Sequence, residues 1–378
     1  NAQLATAGLD RSVRLWNPST GALQSSLAGH TDIVTGVGFV SNGYVVSSDT
    51  NGVLRLWQAT SGAPQGNPTS HNSSILKLAI APSRDQVAIG DTEGKVTLRL
   101  MPTGAVAGSW SAHSTEVTSV AYSTDGTQLV SGGYDGAVKI WNTATRALVR
   151  TLDSGANPIL CVAYRGNRVA AGDTSGTVRL WDADTGTLLN TLNAHTDLAQ
   201  AVTFSPNGLY VATGGADGYV RLWNVSDGTM VRELPNHTFG VTQLRFLAAD
   251  ALAVADGEGM LRVYEIPTGT LIGQVQPLNG WINAIDVSDD GQWIVLGGDE
   301  GVAMVRRTSL FNRPPNVPEL IAPADNATLS RTPTFRIRAM DPDSNPVRVD
   351  VELDLNGQRT LLQSNFVPSG TTIDISVP

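Results

Sequence analysis

Gly176-Thr177-Val178-Arg179-Leu180-Trp181 and Gly218-Tyr219-Val220-Arg221-Leu222-Trp223 are near copies of one another. Arg11–Trp16 (RSVRLW), Gly52–Trp57 (GVLRLW) and Gly136–Trp141 (GAVKIW) carry the same pattern. Gly94–Arg99, Gly259–Tyr264 and Gly301–Arg306 are weaker copies. The eight copies end at 16, 57, 99, 141, 181, 223, 264 and 306, in steps of 40 to 42. So constant a period marks a repeat architecture, in which each unit is one small motif stacked on its neighbours.

One period, 196–237, shows what the unit is. Ala201–Phe204 is a short apolar run, closed by a Pro206-Asn207-Gly208 turn. Leu209–Ala212 follows, then a turn at Asp217-Gly218, then Tyr219–Trp223 with Val220 and Leu222 on one face. Asp227-Gly228 turns again into Met230–Leu234. Turn residues about every ten positions give an up-and-down meander of four strands, here called a to d. No stretch holds a 3.6-residue period long enough for a helix. A four-stranded unit cannot bury both faces alone; eight stacked around an axis bury them against each other, which is a β-propeller.

The repeat resembles the WD40 family, whose blades carry Gly-His near the start and Trp-Asp near the end. Trp181-Asp182 is the literal Trp-Asp and Gly29-His30 the literal Gly-His. The resemblance covers about residues 1–308. It implies an all-β propeller of eight WD40-type repeats and a non-enzymatic scaffold for protein–protein interaction. All five histidines share one phase: His30, His71, His113, His195 and His237. In the family this His joins a structural network with a turn Asp, a strand-b Ser or Thr and the strand-c Trp. By position, one set is His113, Ser131, Asp135 and Trp141, and another is His195, Thr213, Asp217 and Trp223. His30, Ser47, Asn51 and Trp57 form a near-set with Asn for Asp. Thr6, Asp10 and Trp16 belong to a set whose His lies upstream. Repeats three, five, seven and eight depart further. Arg99 and Arg306 replace Trp, Ser175 replaces Asp, and Glu93, Glu258 and Glu300 stand at the turn. The expectation there is blades held by packing alone.

The two ends are unequal. Residues 1–30 supply strands b, c and d of the first blade, and 281–308 supply a, b and c of the last. An upstream piece supplying both missing strands would close a ring of eight. The rival is a longer upstream region and a different ring boundary, such as two seven-bladed rings. The expected propeller is 1–312, followed by a stiff Pro-rich linker at 313–318 and a partial sandwich at 319–378. In that last segment Val347, Val349, Val351, Leu353 and Leu355 face one way, as in a half-buried strand. It resembles bacterial immunoglobulin-like or fibronectin type III modules, which implies an extracellular, cell-surface or periplasmic setting.

Composition narrows the chemistry. The net charge of −9 argues against nucleic-acid binding, which needs a basic face. Lysine is confined to Lys77, Lys95 and Lys139. No apolar run is long enough to span a membrane as a helix. Cys161 is the one cysteine, which excludes an intrachain disulfide and thiolate zinc, and it reads as a small buried side chain. With every His claimed by the repeat, no catalytic residue, metal site or cofactor is expected. Asp289-Asp290 and Asp299-Glu300 are the densest carboxylates, and Asp341, Asp343 and Asn345 are spaced like part of a calcium loop. Both read as turns. The Thr-Gly steps at 103–104, 185–186 and 268–269 read as c–d hairpins.

What remains is a surface for a protein or peptide partner at the d–a and b–c loops. Tyr134, Phe239 and Trp281 are the candidate anchors, with Asp32, Asp197 and Asp299 as an acidic rim. Two alternatives stand beside it: a propeller enzyme, lyase or hydrolase, acting on a glycan through channel-mouth carboxylates, and a regulatory propeller of a bacterial signalling protein.

Overall fold

The computed structural model describes residues 29–276 apart from 59–60 and 235–236, together with Trp281 and the strands on either side of that span. The chain divides into two compact units, 1–307 and 308–378.

The first unit is built from antiparallel sheets. Six have four strands, spanning 34–70, 75–111, 117–152, 159–193, 199–234 and 241–275. A three-stranded sheet precedes them (Leu4–Ala7, Val13–Trp16, Leu23–Leu27) and another follows (Ile282–Val287, Trp293–Gly298, Gly301–Arg306). In repeat six the strands are Ala199–Phe204, Tyr210–Gly215, Val220–Asn224 and Met230–Leu234, paired in sequence order. Strand b runs three residues beyond the expected Ala212, through Gly214 and Gly215. These glycines make room rather than a turn. A Cβ on Gly214 would lie 2.4 Å from Val241 Cγ1 of the next sheet. The turns use glycine for its backbone freedom instead, as at Gly218, where φ is +80°.

Successive sheets meet through their first strands: Val34–Val40 lies beside Ile75–Ile80, that beside Val117–Tyr122, and so on to Ile282–Val287. Leu4–Ala7 lies beside Val34–Val40 and also beside Trp293–Gly298. Each strand a carries a bulge after its first residue, as between Val117 and Ser119. The bulged Thr118 donates to the Ile159 carbonyl of the next sheet at 2.6 Å, and Thr242 to that of Ile282 at 2.5 Å. The core sits between sheets. Val130, Val138 and Ile140 of repeat four pack with Ile159, Val169 and Trp181 of repeat five. Each fully buried aliphatic side chain contributes roughly 1.5–3 kcal/mol. The meander, the strand faces and the stacking are consistent with the expected β-propeller.

The second unit holds a sheet of Glu319–Ala322, Thr334–Arg338 and Thr372–Ser376, and a hairpin of Val347–Leu355 with Gln358–Val367. The linker 313–318 and Asp341, Asp343 and Asn345 lie outside the described residues.

Candidate functional site: the loop face

The histidine sets fix this face. His113 Nδ1 lies 2.9 Å from Asp135 and Nε2 2.8 Å from Ser131 Oγ, which accepts from Trp141 Nε1 at 2.8 Å. His195 lies 2.9 Å from Asp217 and 3.0 Å from Thr213, which accepts from Trp223 at 3.1 Å. One direction of donation satisfies every atom: indole N–H to hydroxyl, hydroxyl to Nε2, Nδ1–H to carboxylate. Burial lowers both histidine pKa values and the carboxylates only partly offset it, so the rings are neutral at pH 7.

In the near-set the structure corrects the expected partner. His30 bonds Ser47 at 2.7 Å, and Trp57 donates to Ser47 at 2.8 Å, but the carboxylate is Asp49, at 2.7 Å, in place of Asn51. Asp49 ends strand b, two residues before the turn position. The same position carries Asp91, Asp173 and Asp256, so repeats three, five and seven are not held by packing alone. His71 turns its Nε2 to Asp91 at 2.7 Å, because Ile89 offers no hydroxyl to the other nitrogen. Asp173 pairs with Arg179 at 2.9 Å. Asp256 pairs with Arg262, while Tyr264 stands for Trp and its hydroxyl meets His237 Nε2 at 3.2 Å. Arg99, also in the Trp place, donates to the carbonyls of Gly104 and Ser70.

The two placements exclude each other sterically. Where the turn supplies the carboxylate, strand b ends in Gly133 or Gly215. A Cβ on Gly133 would lie 2.3 Å from His113 Nδ1 and 2.5 Å from Asp135 Oδ1; one on Gly215 would lie 2.3 Å from His195 Nδ1. Where strand b ends in Asp, that side chain fills the space, and the turn holds Asn51, Glu93, Ser175 or Glu258. These Asp residues were missed in the sequence, although their recurrence at 49, 91, 173 and 256 keeps the repeat phase.

Repeat five is the incomplete case. Ala171 stands at the Ser131 position and Ser154 at the His113 position, so the buried Trp181 Nε1 lacks a hydrogen-bond partner among the described residues. Ser154 Oγ donates to the Gly136 carbonyl at 2.6 Å, where His71, His195 and His237 use their backbone N–H on Gly52, Gly176 and Gly218. In the other direction Thr50, Tyr134 and Ala216 donate backbone N–H to Ile33, Glu116 and Leu198. The d–a loops and b–c turns therefore share one face.

On it Tyr134 is 52% exposed, Phe239 69% and Trp281 42%. Phe239 has φ +62°, a left-handed conformation that costs a bulky residue energy and turns the ring outward. Asp32 and Asp197 each cap the next backbone N–H, of Ile33 at 2.8 Å and Leu198 at 2.7 Å, which leaves their other oxygens toward solvent. Asp299, Glu300, Asp289-Asp290 and Asp10 lie outside the described residues. No group of three or more His, Cys, Asp or Glu able to hold a metal ion occurs among the described residues. Cys161 is buried, its thiol pushed up to about 12 by that burial. A cavity of about 630 Å³ opens on the opposite face, between the turns of Arg165–Arg168 and Pro206–Tyr210.

The family model of the WD domain, G-beta repeat, matches residues 21–58, 104–142, 146–182 and 186–224. These four repeats are WD40 repeats. A crystal structure of the computationally designed Ika8 protein is similar at 27% identity and a TM-score of 0.71, over 81% of this chain and 93% of that one. Nuclear distribution protein nudF of Aspergillus niger is 33% identical over 67 residues, 17% of this chain. The chain spans only 15% of that protein's length. No helix among the described residues is long and apolar enough to cross a membrane.

Proposed function

We propose that the chain is a non-enzymatic WD40 scaffold that takes a protein or peptide partner on the loop face, around the mouth of a ring of eight blades. The observation that carries the face is the trio of exposed aromatic side chains, Tyr134, Phe239 and Trp281, the first two on loops held by backbone hydrogen bonds. Aromatic rings bring large contact area at small entropic cost, and a rigid rim keeps the cost of ordering low. The ring of eight is supported by six complete sheets, two three-stranded ones, and the first sheet lying beside both the second and the last.

Selection of displayed random peptides on the full chain tests the face. Binders should be lost on the triple variant Tyr134→Ala/Phe239→Ala/Trp281→Ala and kept on an outer-edge control, Leu148→Ala/Leu188→Ala/Met230→Ala. Equal binding to both variants would overturn the reading.

A further inference from the structure

The charge on this face is of one sign. From His30 to Gly259, the charged side chains of the d–a loops and b–c turns are all carboxylates, among them Asp32, Glu116, Asp197 and Glu258; no Lys or Arg occurs there. Most cations of strand c just beneath are already engaged; Arg55 is the exception, lying over the Trp57 ring at 5.9 Å with its Nε lacking a hydrogen-bond partner among the described residues. Lys95 pairs with Glu93 at 2.7 Å, Arg179 with Asp173 at 2.9 Å and Arg221 with Asp217 at 2.9 Å, while Lys139 donates to the Ala112 carbonyl at 2.5 Å. The opposite face is mixed: Arg84, Arg146, Arg165 and Arg168 stand there with Asp85, Asp184 and Asp227. The asymmetry is therefore a property of the loop face rather than of the acidic chain as a whole.

Carboxylates of one sign beside exposed aromatic rings suit a cation, which is drawn by the field and then stacks on the ring face. A cationic ligand is thus favoured at this rim. We infer that the partner segment is a Lys- or Arg-rich peptide lying across the mouth, its cationic side chains set among Asp32, Glu116, Asp197 and Glu258 and against Phe239. This inference rests on the proposed loop-face reading and adds the chemistry of the partner.

The test titrates the full chain with short fluorescein-labelled Gly/Ser peptides interspersed with Arg, Gln or Glu. The Arg peptide should bind about tenfold more tightly than the Gln peptide, with the Glu peptide weakest. That preference should shrink as salt is raised. The quadruple variant Asp32→Asn/Glu116→Gln/Asp197→Asn/Glu258→Gln should abolish the preference; Asn retains the capping oxygen at the two Asp sites. A variant of equal net charge on the other face, Asp85→Asn/Asp184→Asn/Asp227→Asn/Glu265→Gln, should keep it. Phe239→Ala should weaken the Arg peptide severalfold. Equal affinity of the Arg and Gln peptides for the unmodified chain overturns the inference whatever the variants do. Equal loss in both quadruple variants overturns it as well, by showing diffuse attraction to an acidic protein. If displayed peptides depend on the aromatic trio yet carry no excess of Lys or Arg, the loop face stands and the cationic partner falls.

Discussion

At the residue scale, the network turns on where a single carboxylate is attached. Gly133 and Asp135 in one blade, and Asp49 and Asn51 in another, bring an oxygen to within 2.7–2.9 Å of the same histidine nitrogen by different routes. Each route leaves room for one side chain, so the pair of positions, rather than either alone, encodes the contact. Gly133→Asp alone puts two carboxylates at one point and should cost about 1–3 kcal/mol through overpacking and repulsion. Gly133→Asp with Asp135→Asn copies the second blade and should recover most of that loss. Urea denaturation of the two variants checks it; equal stability of the single and double variants would contradict the exchange. A sequence read one column at a time shows Asn51 as a weakened Asp and Gly133 as a turn former. The compensation lies two residues away, which is why the partners of His113 and His195 were legible in the sequence and that of His30 was not.

At the scale of the blade, strand order and facing were plain from the sequence because alternation and turn spacing are local properties. The exact strand ends were hidden, since Gly214 and Gly215 read as punctuation until Val241 and His195 are seen against them. Blades also differ in what they do with acid. Burial holds His113 and His195 below the usual imidazole range. Such a group binds fewer protons folded than unfolded. Its contribution is fully present above the unfolded value of about 6.5 and is lost as pH falls through that value toward the folded one. Repeat five, with Ser154 in the histidine place, has no such group. Hydrogen exchange, corrected for intrinsic rates, should therefore show strand-b amides of repeats four and six losing protection between about pH 7 and 5, while Arg168–Asp173 changes less. Uniform loss across the three repeats would show that the histidines do not set the local acid response.

For the whole molecule, the periodic Gly-x-Val-Arg-Leu-Trp signal was enough to foresee a stack of β meanders, because a repeat that cannot bury its own faces has few ways to assemble. The number of blades in the ring is a global quantity that no single repeat contains. End-on views by electron microscopy should show eight blades; seven would overturn the proposed closure. The loop face was harder to foresee, since exposure and the strained backbone of Phe239 belong to the folded chain alone. Backbone bonds tie the b–c turns to the loop before them and, at Gly52, Gly94, Gly176 and Gly218, to the loop after, while the Ser154 hydroxyl makes that link at Gly136. Along the described blades they form an arc of hoop, mostly main chain, that takes little from the side chains it displays. Shape and message are thereby written in separate inks. Tyr134, Thr174 and Ala216 occupy equivalent places on the hoop, so the residues of one blade's rim can be transplanted to another, and the face retargeted, without rewriting the fold beneath.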